Sequence, residues 1–523
     1  VPSGKLKLGV TYIFHTSAYD GSLYETSWSP WARFRFTRTL DLTLPNPNEA
    51  APNPDQSAQP YTNTMAPPSP WKPAPSPNRA GSTPPGLFET HCTTSSGGVK
   101  VCSKAELYNG RNFDLHRGTG ARAATQRSLV SGCDLANPRE GFWTTRLEEC
   151  SAFVLTWDVK VNETPMGIVK ALVVDERKLD RASANITERI NVLDVSIPTT
   201  GILSFTLKTP KVDCKPGNCS TPNVGGWQGV ATWIPGAPSH SAATDVSYGW
   251  TPNSPSTQQV TKLGRQVSMD SKILIAGTTD EYSTPATFRD VVSGWENADL
   301  EKDGYVNQIR CDNTKIVNKV PTTGCVFHNY VPTYTFDAAK YPQASSHAWL
   351  IEHKLPNHPG SKADNKPLYF LPDSDLPGNR AVICPDGWAA ANGDPSVLSG
   401  ATDKLNCDEF AFNATYNSGG MPALAGGLNP VSSGSACVQT FATKQGDAVH
   451  LFNIDGLVPT WKEVCGRSAI SGRHNSGSMA AFPAFNVNQR LLDRDPYWLN
   501  TNMSAKCVSD SATVECTMTA NNK

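Results

Sequence analysis

The sequence predicts a chain in two parts: β-rich, sandwich-like modules toward the N-terminus and an α+β domain toward the C-terminus. Three observations carry that expectation. Residues 151–250 divide into apolar, β-branched segments of strand length separated by turn signals, the spacing of an antiparallel sandwich or barrel. From 311 onward the texture shifts to short apolar runs, one helical stretch and eight of the fourteen cysteines. The 40 glycines and 41 prolines among 523 residues suit a turn-rich fold, and that length exceeds one ordinary core.

Taken in order, residues 1–44 hold alternating stretches ("KLGVTYIFHTS", "WARFRFTRTLDLTL") that read as strands with aromatic faces. Residues 45–87 carry 13 of the 41 prolines and read as a linker or strap, because such a segment cannot sustain a hydrogen-bond ladder. Residues 88–300 read as a mostly β accessory domain, with strands at "SAFVLTWDVKVNE", "GIVKALVVDER", "ERINVLDVSI" and "GILSFTLKT". This domain ends in "GWENADLEKDGYVNQ", where Asp299, Glu301, Asp303, Gly304 and Asn307 match part of a calcium loop. Arg310 stands at the twelfth position, where a bidentate Glu is needed, so a capped polar turn is favoured over a structural Ca²⁺ site. Residues 301–523 form the final domain.

The even number of scattered cysteines, with no paired CxxC array, favours disulfides and an oxidising compartment. Proximity suggests Cys92–Cys102, Cys214–Cys219 and Cys507–Cys516 as bridges. The chain opens on Val1 rather than Met, which reads as a processed, secreted protein. Glycosylation triplets stand at Asn162, Asn185, Asn218, Asn413 and Asn502. No run of about 18 apolar residues is present, so no membrane span is expected. A net charge of −1 argues against coating nucleic acid by bulk electrostatics, while leaving room for an enzyme that grips a few phosphates.

GxSxG, GxxxxGK[ST] and HExxH are all absent. "HAWLIEH" brings His347, Glu352 and His353 close in sequence, but the spacing fits no common zinc helix and reads as a helix with His on its polar edge. Two stretches remain. In "CDEFAF" a disulfide at Cys407 and core-facing Phe410 and Phe412 would fix Asp408 and Glu409, as a general base or metal ligand requires. A solvated strand end is the plainer reading. In "CGRSAISGRHNSGSMAAFPAFNVNQRLLDRDPYWL", Arg467, Arg473 and a Ser/Gly-rich loop could hold phosphate, and amide oxygens could hold Mg²⁺ or Mn²⁺.

These segments resemble the NucA/NucB family of secreted bacterial deoxyribonucleases over about 310–500. "CDEFAF" resembles the family's acid pair, and "RHNSGSM" its Asn-containing loop. "KYPQASSHAWLIEHKL" resembles the Tyr-Pro segment leading into the first helix, and "GNRAVICPDG" the Asn-Arg…Cys-Pro segment before the acids. The resemblance implies a ββα-metal-like hairpin plus helix, with Asp408 as general base and Glu409 binding metal or orienting water. It further implies Asn475 beside His474 in the catalytic loop, Asn475 with Asn488 or Gln489 as further metal ligands, and Arg467, Arg473 or Arg490 on phosphate. Ala411 replaces the family's proline, and Ser476 stands where Arg is common, which leaves the phosphate-binding Arg open among those three.

The function so implied is a secreted, Mg²⁺- or Mn²⁺-dependent endonuclease on DNA with little sequence specificity. Its N-terminal modules would contact cell wall, glycan or DNA, or simply support the nuclease. The alternative is a non-catalytic secreted binding or adhesion protein with a degenerate nuclease-like domain.

Overall fold

The computed structural model describes residues 11–14, 32–35, 41–43, 90–114, 128–138, 142–197, 201–215, 219–254, 257–289, 309–315, 323–372, 378–445, 448–503 and 514–516. The chain is mostly β, 43% strand and 14% helix, with a curled half-barrel sheet. This corrects the expected ββα-metal-like α+β domain at the C-terminus. The strand that carries Asp408 forms no local hairpin; it pairs antiparallel with Gly466–Ser471, far downstream.

Two compact units make up the chain. One gathers Lys72–Pro332 with Asn488–Arg490, and the other gathers Val1–Trp71, Thr333–Val487 and Leu491–Lys523. The strand segments Thr11–Phe14, Ala32–Arg35 and Asp41–Thr43 pair into a small antiparallel sheet. The proline-rich 45–87 segment and the calcium-like residues Asp299–Asn307 lie outside the described residues.

In the Lys72–Pro332 unit, one sheet runs through β1 (Val99–Leu107), β2 (Glu148–Val161), β3 (Thr164–Leu179) and β4 (Asn185–Ser196), and on to β6 (Ala242–Gly249). The second includes β5 (Ile202–Leu207), β7 (Val260–Ile275), β8 (Ile309–Asp312) and β9 (Gly324–Phe327). β1 shows why they pack: Val99, Val101, Ser103 and Ala105 alternate inward, the period of two that a one-sided strand requires. Phe153 stacks on Phe288 at 4.4 Å and Trp157 lies 4.8 Å from Phe205, joining the sheets through an aromatic core. Charge is buried there too, as Arg177 with Glu149 at 2.6 Å and Arg265 with Asp175 and Glu188. Arg310 is buried in β8 and donates to the Arg490 carbonyl.

In the Thr333–Val487 unit a mixed sheet runs β10 (Leu405–Phe410), β13 (Gly466–Ser471), β11 (Val438–Gln445), β12 (Ala448–Asn453), β14 (Val514–Cys516). Helix α1 (Pro342–Lys354) starts on Pro342, whose fixed φ and missing N–H suit a first helical position. Its Ala344 and Leu350 pack with Ala442, Leu451 and Ile470 of the sheet. Full burial of a Leu or Ile contributes about 1.5–3 kcal/mol, so this contact fixes the helix over the sheet. The short helix α2 (Asn379–Ile383) is tied to β10 by Cys384–Cys407, and Cys437–Cys465 ties the starts of β11 and β13.

Six disulfides are formed among the described residues, Cys92–Cys102 and Cys214–Cys219 included. Cys507 of the suggested Cys507–Cys516 pair lies outside the described residues. No described helix is long and apolar enough to cross a membrane.

Candidate functional site

β10 brings Asn406, Cys407, Asp408 and Glu409 to the end of the mixed sheet. Consecutive strand residues project to opposite faces, and the side-chain partners follow that rule. Asp408, 6% exposed, turns toward α1, where its Oδ2 meets His347 Nδ1 at 2.8 Å. Glu409 turns toward α2, with Oε2 3.5 Å from Arg380 Nε. The adjacent acids therefore occupy two different environments.

His347 is fully buried, where the sequence placed the helix histidines on a polar edge; His353 is the exposed one and stacks on Trp349 at 4.3 Å. The carboxylate can only accept, so His347 Nδ1 carries the proton toward it. Nε2 is buried with no partner among the described residues. It lies over Gly466 of β13: a Cβ there would sit 2.9 Å from Nε2 and 2.3 Å from Ile351 Cδ1. Glycine at 466 is what lets α1 approach the sheet this closely.

Helix α3 (Gly472–Met479) begins at a Ser471 N-cap, and Ser471 Oγ in turn donates to Asp403. It delivers Asn475, whose Nδ2 donates to the Cys407 carbonyl at 3.0 Å, beside Asp408. His474, on the same turn, faces Tyr341 edge-on; burial pushes its pKa down to about 4, with Asp403 raising it and Arg473 lowering it. The ring is therefore neutral near pH 7. Burial pushes Glu409 up to about 7, against the pull of Arg380 and with the push of Asp408.

The arginines separate. Arg467 is 6% exposed; it donates to Gln439 and the Ile383 carbonyl and lies 4.3 Å over Trp388, so its guanidinium holds the fold. Arg490 is buried against Asp312 within the Lys72–Pro332 unit, to which Asn488 and Gln489 also belong. Arg473 is exposed and reaches the Ser399 carbonyl at 3.1 Å. Arg380, which sequence reasoning did not single out, donates to Asn406 Oδ1 at 2.7 Å and to the Cys407 carbonyl at 3.0 Å while facing Glu409.

Of the four residues considered for metal, Asn475 lies beside Asp408, Glu409 turns to Arg380, and Asn488 and Gln489 fall in the other unit. Among the described residues no group of three His, Cys, Asp or Glu side chains is arranged to hold an ion. The Asn475 amide spends its Nδ2 on the Cys407 carbonyl.

No family model matches the chain, and no curated relative matches it. Among solved structures, Clostridium perfringens delta-toxin is similar at a TM-score of 0.07 and 8% identity, over 43% of this chain and 95% of that one, too slight a likeness to carry an argument.

Proposed function

We propose that this protein is a secreted, divalent-metal-dependent deoxyribonuclease whose centre is Asp408. One observation carries the reading. The four segments that resemble the NucA/NucB pattern, scattered over residues 340–479, meet at Asn406–Glu409. His347 reaches Asp408, Arg380 reaches Asn406, Cys407 and Glu409, Cys384 is bonded to Cys407, and Asn475 reaches the Cys407 carbonyl.

In this reading Asp408 accepts the proton of the attacking water through Oδ1, since Oδ2 is held by His347. Asn475 would hold the ion, whose contribution is to polarise the scissile phosphate and stabilise the leaving oxygen. Arg473 and Arg380, whose guanidiniums are exposed, would meet DNA phosphates, whereas Arg467 and Arg490 are buried. The six disulfides suit an oxidising, extracellular setting.

Purified, oxidised protein is given supercoiled plasmid with Mg²⁺, with Mn²⁺ and with EDTA. Nicking that needs the metal is expected, and none with EDTA. Unchanged cleavage in EDTA contradicts the mechanism, and no cleavage with any metal favours a binding protein.

A further inference from the structure

Three features stand around Asp408. His347 Nε2 is buried with no partner among the described residues, and an unmatched buried polar atom is destabilising. Gly466, the first residue of β13, leaves no side chain where α1 comes closest to the sheet. Asp408, Ser468 and Thr440 stand side by side on β10, β13 and β11, all buried, and the hydroxyls of Ser468 and Thr440 have no partner among the described residues. The buried ring that meets Asp408 Oδ2 and the glycine that admits it are explained together if the fold is built to hold one carboxylate in one orientation.

We propose that His347 is a positioning residue for Asp408. Its Nδ1–H fixes Oδ2 on the helix side, and Oδ1 is thereby turned toward the attacking water. His347 itself is fully buried, so it acts only through Asp408. The inference rests on the reading of Asp408 as the base. The glycine at 466 serves the same end, since a side chain there would push the ring off the carboxylate.

The test compares His347→Asn, which keeps an N–H donor near the place of Nδ1, with His347→Leu, which fills the volume without one. kcat and KM for plasmid DNA are measured separately beside wild type. His347→Leu is expected to lose about 10–100-fold in kcat, the usual effect of removing a residue that orients a reacting group, with KM within about twofold. His347→Asn is expected to restore kcat to within about threefold of wild type. A histidine that merely packs gives the opposite order, since Leu then outperforms Asn. Full kcat in His347→Leu, or a loss in His347→Asn as large as in Leu, overturns the proposal. If His347→Leu does not fold, His347→Asn decides alone: retained kcat supports the donor role and a loss above tenfold ends it. Inactive wild type is a different result, since it removes the nuclease reading itself and this inference with it.

Discussion

Asp408 and Glu409 are bonded neighbours whose carboxyls face opposite sides of one strand, Asp408 to His347 at 2.8 Å and Glu409 to Arg380 at 3.5 Å. They are therefore not interchangeable, and their removal should have unequal effects. Asp408→Ala is expected to lose more than about a hundredfold in cleavage rate, the scale of a lost general base. Glu409→Gln should lose about tenfold or less. Steady-state rates of the two variants, with circular dichroism to confirm folding, check this; equal losses would contradict the division of roles.

Arg467 and Arg473 should separate fold from substrate. Arg467→Ala strips three buried hydrogen bonds and the contact with Trp388, so urea unfolding should show a loss of about 3 kcal/mol or more. Arg473→Ala should leave the unfolding free energy within about 0.5 kcal/mol of wild type and raise KM for DNA, with a shallower salt dependence.

Gly466→Ala would place a methyl 2.3 Å from Ile351 Cδ1. Overpacking of this kind typically costs about 1–3 kcal/mol. A lowered melting temperature and a reduced cleavage rate are expected together, because the displaced helix carries His347.

The Cys384–Cys407 bond anchors α2, and so Arg380, next to the acids. Replacing both cysteines with Ser should lower the cleavage rate more than replacing Cys92 and Cys102, a pair in the other unit. Parallel assays of the two double variants decide it; equal rates would mean that the bond does not serve the site.

Glu352 supplies a pH signature. Burial, with a smaller push from Asp364, raises its carboxyl to about 8. The unfolded value is about 4.3, so between these values the native state holds the extra proton. Its stabilising contribution is complete below about pH 4.3 and is lost as pH rises through about 8, to a total of a few kcal/mol on the order-of-magnitude scale. Glu352→Gln should flatten that fall in urea-midpoint profiles from pH 5 to 9; identical slopes would contradict it.

Much of this was legible in the sequence for physical reasons. Strand-length segments between turn signals marked the strands within 151–207, and close spacing marked Cys92–Cys102 and Cys214–Cys219. The stretch around Asp408 lies on a strand, as the plainer reading of it as a strand end had it, but Asp408 is buried rather than solvated, and the alternation of strand side chains sends Asp408 and Glu409 to opposite faces. The burial of His347 was hidden because α1 packs on several sides, with Gln343, Ser345 and Ser346 buried as well, so no polar edge runs along it. Residues 488–490 belong to the unit that precedes them in sequence, a tertiary fact that local pattern does not carry. The C-terminal architecture was misread because β10 and β13 pair across a long stretch of chain.

The most direct measurement is single-turnover plasmid cleavage by oxidised wild type and Asp408→Ala, each with Mg²⁺ or Mn²⁺ and with EDTA. Metal-dependent cleavage by wild type, reduced more than about a hundredfold in a folded Asp408→Ala, is the expected result. Equal cleavage by the two proteins, or none by a folded wild type under either metal, would contradict the assignment of Asp408 as the centre of a nuclease.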